Sequence, residues 1–87
     1  MHAVVVRVTI KDEDAATKVL REEVVPRASQ APGFVTGYWT RKGDKGLSMI
    51  VFESEQGASG AAEAVRTGMP DAVTLDDVEV REVVANA

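Results

Sequence analysis

Two runs rich in β-branched and aromatic residues, joined by a turn in the middle of the chain, constrain its fold most. Residues 34–42 read FVTGYWTRK, residues 43–46 read GDKG and residues 47–53 read LSMIVFE. Branched and aromatic side chains pack well on a pleated surface, and a short Gly/Asp connection lets two such runs fold back as a hairpin. Gly37, inside the first run, marks a bulge or a close approach by another group. A similar run opens the chain. In AVVVRVTI, residues 3–10, alternation puts Val4, Val6, Val8 and Ile10 on one face with His2, and Ala3, Val5, Arg7 and Thr9 on the other. A last run, VEVREVV over 78–84, sets Val78, Val80 and Val84 against Glu79, Arg81 and Val83.

Between these runs the apolar period changes to that of a helix. In residues 11–31, Ala16, Val19, Leu20 and Val24 recur at spacings of three and four, with Asp12 or Asp14 as N-cap. Pro26 cannot donate to the carbonyl of Glu22, so a kink or restart is expected there. Residues 54–68 form a second helix with Ser54 as N-cap and a small-sided stripe of Ala58, Ala61, Ala62 and Val65, which suits close packing on a sheet. Residues 69–77, MPDAVTLDD, read as a loop and the final ANA as a tail. The order is β-α-β-β-α-β. The expected class is therefore α+β, ferredoxin-like, with a four-stranded antiparallel sheet and both helices on one face.

That architecture leaves the other face of the sheet bare. Strand one offers it Ala3, Val5, Arg7 and Thr9, and strand four Glu79, Arg81 and Val83. Strand three offers Leu47, Met49 and Val51 or else Ser48, Ile50 and Phe52; strand two offers Phe34, Thr36 and Tyr38 or else Val35, Gly37, Trp39 and Arg41. In either register an aromatic lands there, and the apolar surface exceeds what soluble monomers usually expose. The expected remedy is a homodimer with two sheets closed on each other. One of Tyr38 and Trp39 is then core beneath the helices, and the other faces the partner or a space between the sheets.

Size and charge point the same way. Eighty-seven residues suit a single domain, residues 1–87, with a modest core that self-association would supplement. Ten basic against 14 acidic residues, net charge −4 and no basic stripe, exclude a nucleic-acid binder. The absence of cysteine removes disulfides, a thiol nucleophile and thiolate metal sites. The N-terminal apolar run is too short for a signal peptide or a membrane span, so a cytoplasmic protein without membrane contact is expected.

The element order, the turn Pro32-Gly33-Phe34 opening strand two, and strand three running through Val51–Ser54 into the second helix resemble the dimeric α/β-barrel superfamily. Its members include antibiotic biosynthesis monooxygenase-like and stress-responsive barrel domains. The resemblance covers residues 3–84. It implies a homodimer with a cavity between sheet and helices, and activities that range from cofactor-independent oxygenation to none known. Its haem-degrading branch relies on an Asn near the end of strand one, a Trp and a haem-ligating His. Here strand one carries Arg7 and Thr9, the only Asn is Asn86, and no His lies near the second helix.

Chemistry-bearing residues are few. His2 is the only histidine and reads as a frayed terminal residue. No second His or Cys exists to share a metal, so neither metal nor cofactor is expected, and no Ser-His-Asp set forms without His2. GDKG lacks the strand-loop-helix setting of a phosphate loop and reads as a hairpin turn. The ligand-binding candidates are Arg7, Tyr38, Trp39 and Arg81, with catalytic residues unassigned. The two arginines interrupt Val-rich neighbouring strands on the bare face. They either hold an anionic or carbonyl ligand or, the commoner case, pair with Glu79, Glu82 or Glu53 across a dimer. Tyr38 and Trp39 either stack on a flat substrate or anchor an interface or core. Two functions follow as expectations. The first is a small homodimer of unassigned activity that binds a small-molecule ligand or serves as an interaction module. The alternative is a cofactor-independent monooxygenase-like enzyme acting on an aromatic or polyketide-like substrate.

Overall fold

A computed structural model describes residues 1–87. Four strands, β1 (His2–Ile10), β2 (Phe34–Lys42), β3 (Lys45–Phe52) and β4 (Val73–Glu82), form one sheet in the order β2-β3-β1-β4, with every neighbouring pair antiparallel. Helix α1 (Glu13–Val19) passes into a π-helical turn, Leu20–Val24, and resumes as α2 (Val25–Ser29); α3 (Glu55–Thr67) follows β3. This is the ferredoxin-like β-α-β-β-α-β arrangement, with Glu13–Ser29 counting as one helix interrupted by a π turn.

Local chemistry explains most boundaries. Asp12 caps α1 by accepting the Ala15 N–H at 3.1 Å, and Ser54 caps α3 by accepting that of Gly57 at 3.1 Å. Pro26 sits at the start of α2 just after the π turn. Its missing N–H and its ring prevent an uninterrupted α ladder, and the widened turn absorbs the mismatch. Gly33 and Gly43 take φ of +78° and +64°, a region costly to residues with a Cβ. At Gly43 this makes the β2–β3 turn tighter than expected, because β3 already begins at Lys45. At Gly33 it turns the carbonyl to accept the Glu53 N–H at 2.8 Å, tying the start of β2 to the end of β3.

The core lies between the sheet and α3. Val4, Val6, Ile50 and Phe52 meet Ala58 and Ala62, whose small side chains let α3 approach closely; Phe34 packs edge-on against Phe52 with ring centroids 6.2 Å apart. The helical region from Glu13 to Ser29 behaves differently. None of its residues is buried and none joins this cluster, although Ala16, Val19, Leu20 and Val24 form an apolar stripe.

Three expectations need correction. The segment 69–77 is not all loop, since β4 begins at Val73. A bulge hides this in the sequence: Val8 pairs with Leu75 but Arg7 pairs with Asp77, so the extra residue Asp76 breaks the two-residue alternation. In β2 the irregularity falls between Phe34 and Thr36, so of the two readings of Gly37 the bulge fails and the close approach, by the Trp39 ring, holds. The irregularity places Phe34 on the helix-covered face with Gly37, Trp39 and Arg41, and leaves Thr36, Tyr38 and Thr40 on the open one. His2 is not frayed. It pairs with Phe52 and Glu82 in the sheet, and its Nε2 lies 3.5 Å from a Glu55 carboxylate oxygen.

Candidate functional site

The open face of the sheet can be read row by row from the strand registers. Tyr38, Met49, Val5 and Glu79 form one row across β2, β3, β1 and β4. Thr36, Val51, Ala3 and Arg81 lie on one side of it, and Thr40, Leu47, Arg7 and Asp77 on the other. Ala3 and Val5 are buried at the floor without any helix above them, shielded by their taller neighbours. Those neighbours are not shielded: Tyr38 is 68% exposed, Met49 49% and Leu47 43%. The result is a raised apolar patch bordered by Asp77, Glu79 and Arg81 along β4 and by Lys42 and Lys45 at the hairpin.

The four candidate residues do not converge. Trp39 points under the helices and packs half-buried against the core, while Tyr38 points to the open face, so the pair cannot stack on one ligand. Trp39 also accounts for Gly37. A Cβ there would stand 2.8 Å from the ring carbon Cη2 of Trp39, and only hydrogen leaves room for the indole. Arg7 and Arg81 share the open face, but Arg81 pairs with Ala3, four residues from Arg7 along β1, a separation of about 13 Å at the usual rise. One bound group cannot bridge them. Arg81 donates to Glu79 at 2.7 Å, and this hydrogen bond, with the charge of Glu79, raises the guanidinium pKa further. Arg7 is exposed and takes part in no ion pair.

Other residues gather around Arg7. An open depression of about 400 Å³ at the hairpin end is lined by Thr40, Lys42, Lys45, Leu47 and Asp76 among others. Lys45 donates to the Thr9 hydroxyl at 2.9 Å, and that hydroxyl donates to Asp76 at 2.6 Å. Lys45 was legible only as part of a turn, and Asp76 only as loop charge, because the β4 bulge that turns Asp76 toward Thr9 has no sequence signal beyond the pair Asp76-Asp77. On the helix-covered side, Arg41 pairs with Glu13 and fastens the first turn of α1 to β2. A smaller recess of about 190 Å³ lies between the first helical region and the end of α3, lined by Val19, Glu23, Val24, Arg27, Gly68 and Pro70. No three His, Asp or Glu side chains are grouped to hold a metal ion, and no helix is long and apolar enough to cross a membrane.

No protein-family model matches the chain, and no curated protein sequence matches it. Solved structures do. MupZ from Pseudomonas fluorescens superposes with a TM-score of 0.69 at 19% identity, covering 91% of this chain and 69% of MupZ. SnoaB, a cofactor-independent oxygenase from Streptomyces nogalater, gives 0.69 at 14% identity, covering 98% and 94%. A dimeric ferredoxin-like protein from an uncultured marine organism gives 0.66 at 12% identity, covering 100% and 98%. At such identities the likeness is one of fold. The chain has the ferredoxin-like α+β fold of these structures.

Proposed function

We propose that the protein is a homodimer closed through the open sheet face, and that it acts as a small-ligand-binding or interaction module. The observation that carries this is the contiguous exposure of Tyr38, Leu47 and Met49 above the buried Ala3 and Val5. Surface area supports it. The chain exposes 5745 Å², whereas a compact monomer of this mass exposes about 5000 Å². The excess is close to the ~800 Å² that each partner buries in a standard interface. The similar marine protein is described as dimeric, which adds weight. Native mass spectrometry tests both parts of the proposal. A dimer carrying a discrete extra mass is expected for a ligand-binding module and a bare dimer for an interaction module; a monomer would overturn the proposal.

The half-buried stripe on the first helical region favours a second reading. Ala16, Val19, Leu20 and Val24 lie on the same side of the sheet as Trp39 and are only half-buried. A flat apolar ligand seated there would cover them, and SnoaB, similar in fold, is a cofactor-independent oxygenase. Oxygen uptake with an autoxidisable quinol would test this. The reading expects catalysis above background that Trp39→Ala reduces; uptake at the background rate would count against it.

A further inference from the structure

The depression at the β2–β3 end carries a charge pattern at odds with the rest of the molecule. The chain has net charge −4, yet three cations, Arg7, Lys42 and Lys45, line this one concavity and none of them is in an ion pair. Arg41 also borders it, but its charge is taken by Glu13 on the other side of the sheet. The only carboxylate in the lining is Asp76, which the β4 bulge turns to the Thr9 hydroxyl at 2.6 Å. Asp77 stands opposite Arg7 in register without pairing with it. Three like charges around a recess repel one another, and a bound anion would relieve that repulsion.

The remaining lining suits a ligand as well. Thr40 is held by donating to the Leu47 carbonyl at 2.6 Å, and Leu47 supplies an apolar surface. Lys45 is steadied by its hydrogen bond to Thr9. The volume of about 400 Å³ falls within the ~300–1,000 Å³ range of small-molecule sites. A guanidinium offers two parallel donors to an oxyanion, and two flanking ammonium groups add compact charge.

We propose that this depression binds a small polyvalent oxyanion, a phosphate ester or a polycarboxylate, clamped by Arg7, Lys42 and Lys45. Every residue in it comes from one chain, and because Arg7, Thr40 and Leu47 also lie on the open sheet face through which the dimer is proposed to close, the site borders that interface.

The test is an NMR titration of the ¹⁵N-labelled protein at low ionic strength, with pyrophosphate and citrate as probes. Saturable shifts are expected at Arg7, at residues 40–47 and at Asp76. Arg7 is exposed, so Arg7→Gln should keep the fold and weaken binding about tenfold, the loss of one charge-assisted donor pair. Arg66→Gln removes the same charge from α3 and should change binding by no more than about twofold, as expected for a screened, distant charge. Saturation by either probe with this selectivity supports the site, and the tighter probe gives the ligand class. Non-saturating shifts spread over all basic residues, or equal weakening by the two variants, would overturn it. Sedimentation of the same samples reports the oligomeric state separately, so failure of the dimer and failure of the anion site are distinguishable.

Discussion

Replacing Gly37 with Ala is the sharpest probe of how the sheet accommodates Trp39. Gly37 has no positive φ, so an alanine backbone fits there without strain. The difficulty is the added methyl, which would lie 2.8 Å from Cη2 and 3.0 Å from Cζ3 of Trp39. The indole is half-buried against the core cluster and cannot swing freely away. Forcing an extra methyl into such a contact costs about 1–3 kcal/mol, and the lower chain entropy of alanine in the unfolded state returns about 0.4–1 kcal/mol. A net loss of about 1–2 kcal/mol remains, or roughly 5–15 °C in Tm for a domain of this size. Thermal unfolding at one fixed protein concentration reads it, because dimer formation makes Tm concentration-dependent. The control is the same change in a Trp39→Leu background, where the ring is gone and Gly37→Ala should be neutral or stabilising. An equal cost in both backgrounds would refute the steric account.

Two further substitutions probe the core and the second helix. Phe52 is 1% exposed and makes the edge-on contact with Phe34, so Phe52→Ala should cost about 3–5 kcal/mol, much of the total stability of a small domain, and urea unfolding should show a large drop in midpoint. Ser54→Ala removes the cap on the Gly57 N–H and should cost about 1 kcal/mol, read as a drop in Tm; no change would mean that tertiary packing alone fixes the start of α3.

Much of this fold was legible because alternation in β1 and β3 is uninterrupted. Val4 and Val6 enter the core where the alternation of β1 puts them, and pairing with β1 selects Ile50 and Phe52 from the two faces that β3 left open. What the sequence hid was phase. A single bulged residue shifts every side chain beyond it to the other face. One bulge concealed the first half of β4, and another moved Phe34 away from Tyr38. The interruption at Pro26 was visible, but its π-helical form depends on how the backbone relaxes around the missing donor. The functional residues followed the same rule. Alternation put Arg7 and Arg81 on the open face correctly. Their separation depends on strand register, and the clustering of Arg7 with Lys42 and Lys45 depends on the hairpin folding back. That the stripe of the first helical region is only half-buried could not be foreseen either, since an amphipathic period looks the same whether or not its apolar face joins the central core.

The central claim is that two copies close through the sheet face around Met49. Sedimentation velocity of the wild type beside Met49→Lys tests it most directly. Met49 is half-exposed within one chain, so lysine should leave the protomer folded, as circular dichroism would verify. In the dimer it would place an uncompensated charge in an apolar interface, at a cost of about 3–5 kcal/mol, roughly a hundredfold or more in Kd. The account predicts a wild-type species of twice the 9.3 kDa protomer mass and a folded monomeric variant. A wild-type monomer, or a variant that stays dimeric, would contradict it.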